Sequence, residues 1–380
     1  MINPDIFGYY TVGDLKTYRK LEAIEAHVKT GIHPTWVFND DVYSAIDWTI
    51  EPEATLEQLY AQRARQLREQ YDYLVLWYSG GADSDAVLNA FVDNGIFIDE
   101  VVSYVNYAAT HDQHDFCNGE IFHVAAPKIK KIQQQFPLMK YRVIDLCQGL
   151  VDYFGNPSLS QDWMYDLNTI AAGLNASRQY IHQQVPEWLS MFDQGKRVAF
   201  ITGTDKPRLH QTDNGHYHFR FIDIFDNSVT AGQQSRNPKW FNPELFFWSP
   251  ESPLIVVKQS HVIKKFLRHV AKTDPMLTEH SNGLAFKTID GQKFWLTVEG
   301  MHRLIYPGWQ PIPYQIKNPS PILSQRENWF RRLPDSDQAI KIYKSGLLAR
   351  WKTVPDYWKN SKLMHRGYKA SVSKSYDLGS

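Results

Sequence analysis

The sequence predicts an α/β protein: a parallel, doubly wound sheet with helices on both faces, followed by an aromatic-rich α+β region. Three observations carry this. Short apolar, β-branched runs alternate with helical stretches of ten or more residues, the pattern of a parallel sheet covered on both sides. The run Leu74-Val75-Leu76-Trp77-Tyr78 passes directly into Ser79-Gly80-Gly81-Ala82-Asp83-Ser84 and then into a helical pattern from Asp85. That order is strand, tight glycine loop, helix N-terminus. Finally, 380 residues give room for two domains, or for one α/β domain with a large appendage.

The elements follow in order. Residues 14–29 hold a helical stretch. Thr55-Leu56-Glu57-Gln58 is a capping box that opens a helix to about Gln70. The strand at 73–78, a helix over 84–93 and a C-cap at Asn94-Gly95 come next. Val101–Val105 is a second strand, 118–135 a helix, 141–146 a third strand, 161–192 a long helical region and 197–202 a fourth strand. The pattern then changes. A hairpin is expected over 210–226, turning at Asp213-Asn214-Gly215, and another turning at Asp290-Gly291 between 284–289 and 294–298. The expected division is a 1–54 extension, a 55–235 α/β domain that carries the glycine loop, and a 236–380 substrate or interaction region.

Composition sets limits. Hydrophobic residues at 43% and charged residues at 22% are those of a folded globular chain, and 12 Trp point to aromatic packing. Lys plus Arg and Asp plus Glu both number 41, so no global charge draws the chain to a nucleic acid backbone. The two cysteines, Cys117 and Cys147, exclude a disulfide framework and fit a reducing compartment. The start, Met1-Ile2-Asn3-Pro4-Asp5, is polar, and no apolar run nears the ~20 residues that span a bilayer. A cytoplasmic protein is expected, with no membrane partner.

The glycine loop directs the functional reading. A strand-to-helix junction aims several backbone N–H groups and the positive end of a helix dipole at one spot. Two glycines let the backbone approach a ligand closely, and Ser79 and Ser84 add hydroxyl donors. A phosphate chain suits such a cradle. Neither the Walker A spacing nor Gly-x-Gly-x-x-Gly is present.

The loop resembles the Ser-Gly-Gly-x-Asp-Ser signature of the PP-loop ATP pyrophosphatases, the adenine nucleotide alpha hydrolase-like superfamily. Three further segments extend the resemblance over about residues 55–270: Val105-Asn106, Ile201-Thr202-Gly203-Thr204-Asp205-Lys206, and Ser252-Pro253-Leu254 through Lys258. The resemblance implies a HUP-like sheet and ATP with Mg²⁺ as cofactors. It also implies an ATP-dependent ligase or transferase that adenylates a substrate and releases pyrophosphate, for amidation, ligation or sulfur transfer. Ser79, Gly80, Gly81, Asp83, Ser84, Asn106, Gly203 and Thr204 would contact the nucleotide. Asp83, Lys206, Arg208 and Lys258 would serve the chemistry, with Asp83 also meeting the metal. Met1 is not followed by a Cys, so no N-terminal-nucleophile glutaminase is visible, and ammonia would come from solution or a partner. In general style the chain is similar to PP-loop proteins of large tailed phages, which would place it in the host cytoplasm.

Other residues have competing readings. His111, Asp112, His114, Asp115 and Cys117 crowd one loop, as a metal or acid/base site or as a solvated loop over substrate. His216 and His218 lie on the polar face of a hairpin. Cys117 is a sulfur carrier or an inert thiol, and Cys147 a core residue. Residues 341–374 carry seven Lys, two Arg and one Asp among aromatic residues, a surface for tRNA or another polyanion or simply a basic tail. The region after 235 also suits a homodimer interface. Two alternatives to the adenylating enzyme are a sulfonucleotide (PAPS) reductase-like enzyme, which wants a cysteine nearer the C-terminus, and a non-catalytic nucleotide-binding or structural protein.

Overall fold

The computed structural model describes residues 4–105, 118–145, 185–203, 206–223, 243–269, 277–278, 285–289, 292–311, 336, 338–353 and 372–380. A small antiparallel sheet comes first. Tyr9–Val12 (β1) pairs with Leu15–Thr17 (β2) on one side and Thr35–Val37 (β3) on the other. Lys20–Thr30 (α1) and Asp40–Ser44 (α2) complete this unit. The helix expected over 14–29 thus begins only at Lys20, because Leu15, Lys16 and Thr17 are taken by cross-strand pairing with β1.

Leu56–Gln70 (α3) starts where the capping box placed it: Thr55 Oγ1 accepts from the Gln58 amide while the Gln58 side chain accepts from the Thr55 amide. Then follow Tyr73–Trp77 (β4), Ala82–Val92 (α4), Glu100–Val105 (β5), Ala126–Ile132 (α5), Lys140–Asp145 (β6), Pro186–Asp193 (α6) and Val198–Thr202 (β7). Arg208–Gln211 (β8) and Tyr217–Arg220 (β9) leave as a hairpin, and Pro243–Leu245 (β10) returns beside β7. The five strands β10-β7-β4-β5-β6 are all parallel. Numbered along the chain within this sheet alone, their order is 3-2-1-4-5, a Rossmann-like order that reverses direction between β4 and β7.

Strand residues alternate between two packed faces, as the 2-residue period requires. Leu74 and Leu76 of β4, with Ala199 and Ile201 of β7, join a core shared with α3, α4 and α5. Val75, Val198 and Phe200 face the other way, onto Trp188 of α6. All these side chains are fully buried, each contributing about 1.5–3 kcal/mol for the larger aliphatics and Phe.

The helix expected over 118–135 forms, with a wider turn inside it. Ile121–Ala125 forms a π-helical turn, in which the Ala126 amide reaches back to the Ile121 carbonyl, before α5 runs to Ile132. Pro127 is the second residue of α5 and has no N–H to give to the preceding turn, so a wider turn just before it absorbs the missing bond.

Leu254–His269 (α7), Leu277–Thr278 (β11), Ala285–Ile289 (β12), Gln292–Leu296 (β13), Val298–Ile305 (α8), Gln338–Thr353 (α9) and Tyr376–Asp377 (β14) complete the elements. Both expected hairpins form, β8–β9 and β12–β13, and they join in one mixed sheet of order β11-β13-β12-β8-β9-β14. An aromatic core binds this sheet to the opening segment: Tyr43 lies 4.5 Å from Phe221, Trp48 stacks on Phe219 at 5.1 Å and on Tyr376 at 4.7 Å. No helix among the described residues is long and apolar enough to cross a membrane. Of the long helical region expected over 161–192, only α6 lies within the described residues.

One buried ion pair fixes α3 to β10. Arg63, fully buried, donates to Glu244 at 2.5 Å and to Glu251 at 3.2 Å, and Tyr71 donates to the same Glu244. Burial pushes the Glu244 carboxyl upward even with Arg63 beside it. Removing the guanidinium strands that carboxyl, so Arg63→Ala is expected to lose about 3–5 kcal/mol of stability. Urea unfolding followed by circular dichroism would show it as a lower midpoint.

Candidate active site

The loop Ser79–Gly81 follows β4 and runs straight into α4, at the carboxyl end of the sheet and beside the β4/β7 reversal. That crevice is where open parallel sheets hold ligands. Gly80 has φ +81°, the left-handed region, and a Cβ there would meet the backbone nitrogen of Ala125 at 3.3 Å. The loop is therefore pressed beneath the π-helical turn Ile121–Ala125. Ser79 Oγ accepts from the Gly81 amide at 3.2 Å, and Ser84 Oγ donates to the Gly81 carbonyl at 3.0 Å and accepts from the Ser79 amide at 3.3 Å. The two serines brace the loop's own backbone. The first-turn amides of α4, at Ala82–Ser84, have no intrahelical acceptor, which is the ordinary condition of a helix start and the basis of anion binding there.

Asp83 is the meeting point of distant segments. Lys206, buried just beyond β7, donates to Oδ2 at 2.6 Å. Tyr306, at the end of α8, donates its hydroxyl to Oδ1 at 2.6 Å. His302, fully buried one turn earlier on α8, brings Nε2 to 3.7 Å from the same oxygen. Gly203 makes this possible: a Cβ at that position would lie 2.6 Å from the Asp83 carbonyl oxygen. The end of β7 and the first turn of α4 lie too close together to admit a side chain at Gly203.

Behind the loop lies a second charged group. Asp85 accepts from Lys128 Nζ at 2.6 Å and from the Tyr78 hydroxyl at 2.8 Å, while Ser103 Oγ donates to the Tyr78 carbonyl at 2.6 Å. Burial, then the adjacent Asp85 carboxylate, push the Tyr78 phenol far above its ordinary value. Tyr78 is thus a neutral donor that fixes the strand end to α4. Glu120 is buried against Gly81 as well.

The expected site residues divide into three groups. Ser79, Gly80, Gly81, Asp83, Ser84, Gly203 and Lys206 come together at the sheet's carboxyl end. Arg208 opens β8 two residues on from Lys206, half-buried, its Cα opposite that of Arg220. Lys258 is engaged elsewhere: it donates to Glu51 and to the Pro52 carbonyl, each at 2.8 Å, and so ties α7 to the segment before α3. Burial raises the Glu51 carboxyl, but hydrogen bonds from Lys258 and Lys265 outweigh it and hold it below the ordinary value. Asn106 and Thr204 lie outside the described residues, as do His111, Asp112, His114, Asp115, Cys117, Cys147 and most of the basic 341–374 stretch. His216 and His218 bond to Asp377 and Ser375 beside β14, and among the described residues no group of three or more His, Cys, Asp or Glu could hold a metal ion.

Tyr306, His302, Lys128 and Glu120 were not anticipated. The one available signal for the first two was Thr297, which caps α8 by accepting from the Gly300 amide, ahead of a helix-spaced Met301 and Ile305. His302 and Tyr306, four residues apart, read there as ordinary members of a packed face.

Compared with known proteins, the chain matches no protein-family model and no curated sequence.

Gly203→Ala isolates the close approach. The added methyl must displace the Asp83 backbone, so a loss of about 1–3 kcal/mol is expected. A thermal melt would register it, and a Gly195→Ala control, in open space but with φ +75°, would report backbone strain alone.

Proposed function

We propose that this protein is an ATP pyrophosphatase of the PP-loop type, with a HUP-like nucleotide-binding sheet, that adenylates a substrate and releases pyrophosphate. The observation that carries the reading is the Ser79–Ser84 loop at the direction reversal of a parallel sheet, with Lys206 delivered to Asp83 from the neighbouring strand end. ATP fits this cradle. The loop is a close backbone approach without Cβ atoms at its turn, it faces the start of α4, and a buried cation stands beside it.

The chemistry is an in-line displacement. An oxygen of the substrate, from a carboxylate, amide or nucleobase carbonyl, bonds to the α-phosphorus as the α–β bridging P–O bond breaks, and the electron pair leaves with pyrophosphate. Negative charge spreads over the phosphoryl oxygens, so positioning and positive charge do most of the work. The amides of Ala82–Ser84 and the Ser79 hydroxyl hold the departing pyrophosphate, while Ser84 keeps the loop in shape by donating to the Gly81 carbonyl. Lys206 supplies the positive charge, and Asp83 holds its ammonium in place. Mg²⁺ bound with ATP would screen the triphosphate, and Asp83 is the loop carboxylate suited to meet it, directly or through water. The adenylate is then open to an amine, ammonia or a sulfur nucleophile.

The test is incubation with α-labelled ATP and Mg²⁺, with and without an extract of small metabolites and tRNA. AMP and pyrophosphate are expected, and Asp83→Ala and Lys206→Ala should each lower their formation by about 10²–10³-fold. ATP bound but never cleaved would instead favour a nucleotide-binding protein without catalysis, and no ATP binding would overturn the reading of the loop.

A further inference from the structure

The site contains two polar side chains that the displacement just described does not use. α8 packs by an apolar face, with Met301 and Ile305 fully buried, yet it buries His302 and Tyr306 as well. Burying polar groups is unfavourable unless they are matched, and both are turned to one carboxylate: Tyr306 Oη is 2.6 Å and His302 Nε2 is 3.7 Å from Asp83 Oδ1. Their rings are held from several sides. Tyr306 lies 5.4 Å from Phe247 and 5.4 Å from His302, both near-parallel, and His302 lies 5.4 Å from Trp309. The helix itself is anchored by the Tyr60 hydroxyl, which donates to the Ile305 carbonyl at 2.7 Å.

From this we infer that Tyr306 is a positioning residue of the nucleotide site, with His302 as its support. The Tyr306 hydroxyl fixes the rotation of the Asp83 carboxylate, so that Oδ2 remains with Lys206 and the ammonium is held ready for the phosphoryl oxygens. A carboxylate with only one partner turns about its last bond, and its lysine turns with it. A strand end, a helix start and a residue more than 200 positions later therefore act on one group through Lys206, Asp83 and Tyr306. This rests on the adenylating reading above.

Tyr306→Phe removes one oxygen and leaves the ring stack intact. In the labelled-ATP assay the expected result is a fall of about tenfold or more in kcat, with KM for ATP within about twofold, as for an interaction used chiefly in the transition state. Tyr60→Phe is the control. It removes a hydroxyl that anchors the same helix without touching Asp83, so it should lower Tm at least as much as Tyr306→Phe while leaving kcat near the unaltered protein's. Equal kcat losses in the two variants would reduce Tyr306 to a helix anchor, and an unchanged kcat in Tyr306→Phe would remove the role outright. If the unaltered protein releases no pyrophosphate, the adenylating reading fails and this inference fails with it. Release by the unaltered protein with an indifferent Tyr306→Phe refutes the inference alone.

Discussion

A carboxylate in a half-closed crevice must be neutralised and hydrogen-bonded, and at Asp83 that requirement organises the molecule. The cation comes from Lys206 beyond β7, the hydroxyl from Tyr306 at the end of α8, and the carboxylate itself from the first turn of α4. Satisfying one side chain draws together segments more than a hundred residues apart. The sheet order makes this possible. β4 and β7 are neighbours at the direction reversal, and Gly203 lets their trailing loops touch backbone to backbone.

The same crevice carries opposed electrostatic demands. An anion-binding helix start wants positive surroundings, yet Asp83 and Asp85 both sit in the first turn of α4, and Glu120 is buried nearby. Each aspartate is answered by a lysine at 2.6 Å, Lys206 for Asp83 and Lys128 for Asp85, so charges alternate rather than accumulate. Tyr78, held neutral by burial and by Asp85, adds a donor without adding charge. On the proposed reading, a triphosphate would meet backbone amides and Lys206 rather than bare carboxylates.

Much of the sheet was legible from local pattern. β4, β5 and β7 stand out because each is a short apolar run buried on both faces, and α3 because its cap is written in Thr55 and Gln58; β6, at the sheet edge, buries only Ile144. Of the site, the loop, Gly203 and Lys206 were legible because chemistry and strand ends coincide there. What escaped depends on tertiary contact. The pairing of residues 15–17 with β1 overrode a helical pattern. Pro127 opened a π-helical turn in a segment that reads as one helix. Lys258 lies in a segment that fits the loop chemistry, yet Glu51 and Pro52, some 200 residues earlier, hold its ammonium. His302 and Tyr306 look like core residues until Asp83 is placed opposite them.

The mixed sheet has a consequence in time. β9 is covered along one edge by β14, whose residues follow it by 157 positions, as the bond between His218 and Ser375 measures. At a synthesis rate of about 5–20 residues per second, that edge waits roughly 8–30 s for its partner. During that interval the nascent chain presents an unpaired strand bearing Tyr217 and Phe219, the kind of edge that recruits a neighbouring polypeptide. His218 and Arg220 alternate with these aromatic residues and place polar side chains on the other face of the waiting strand. The order of synthesis therefore leaves this edge open until the last strand closes it.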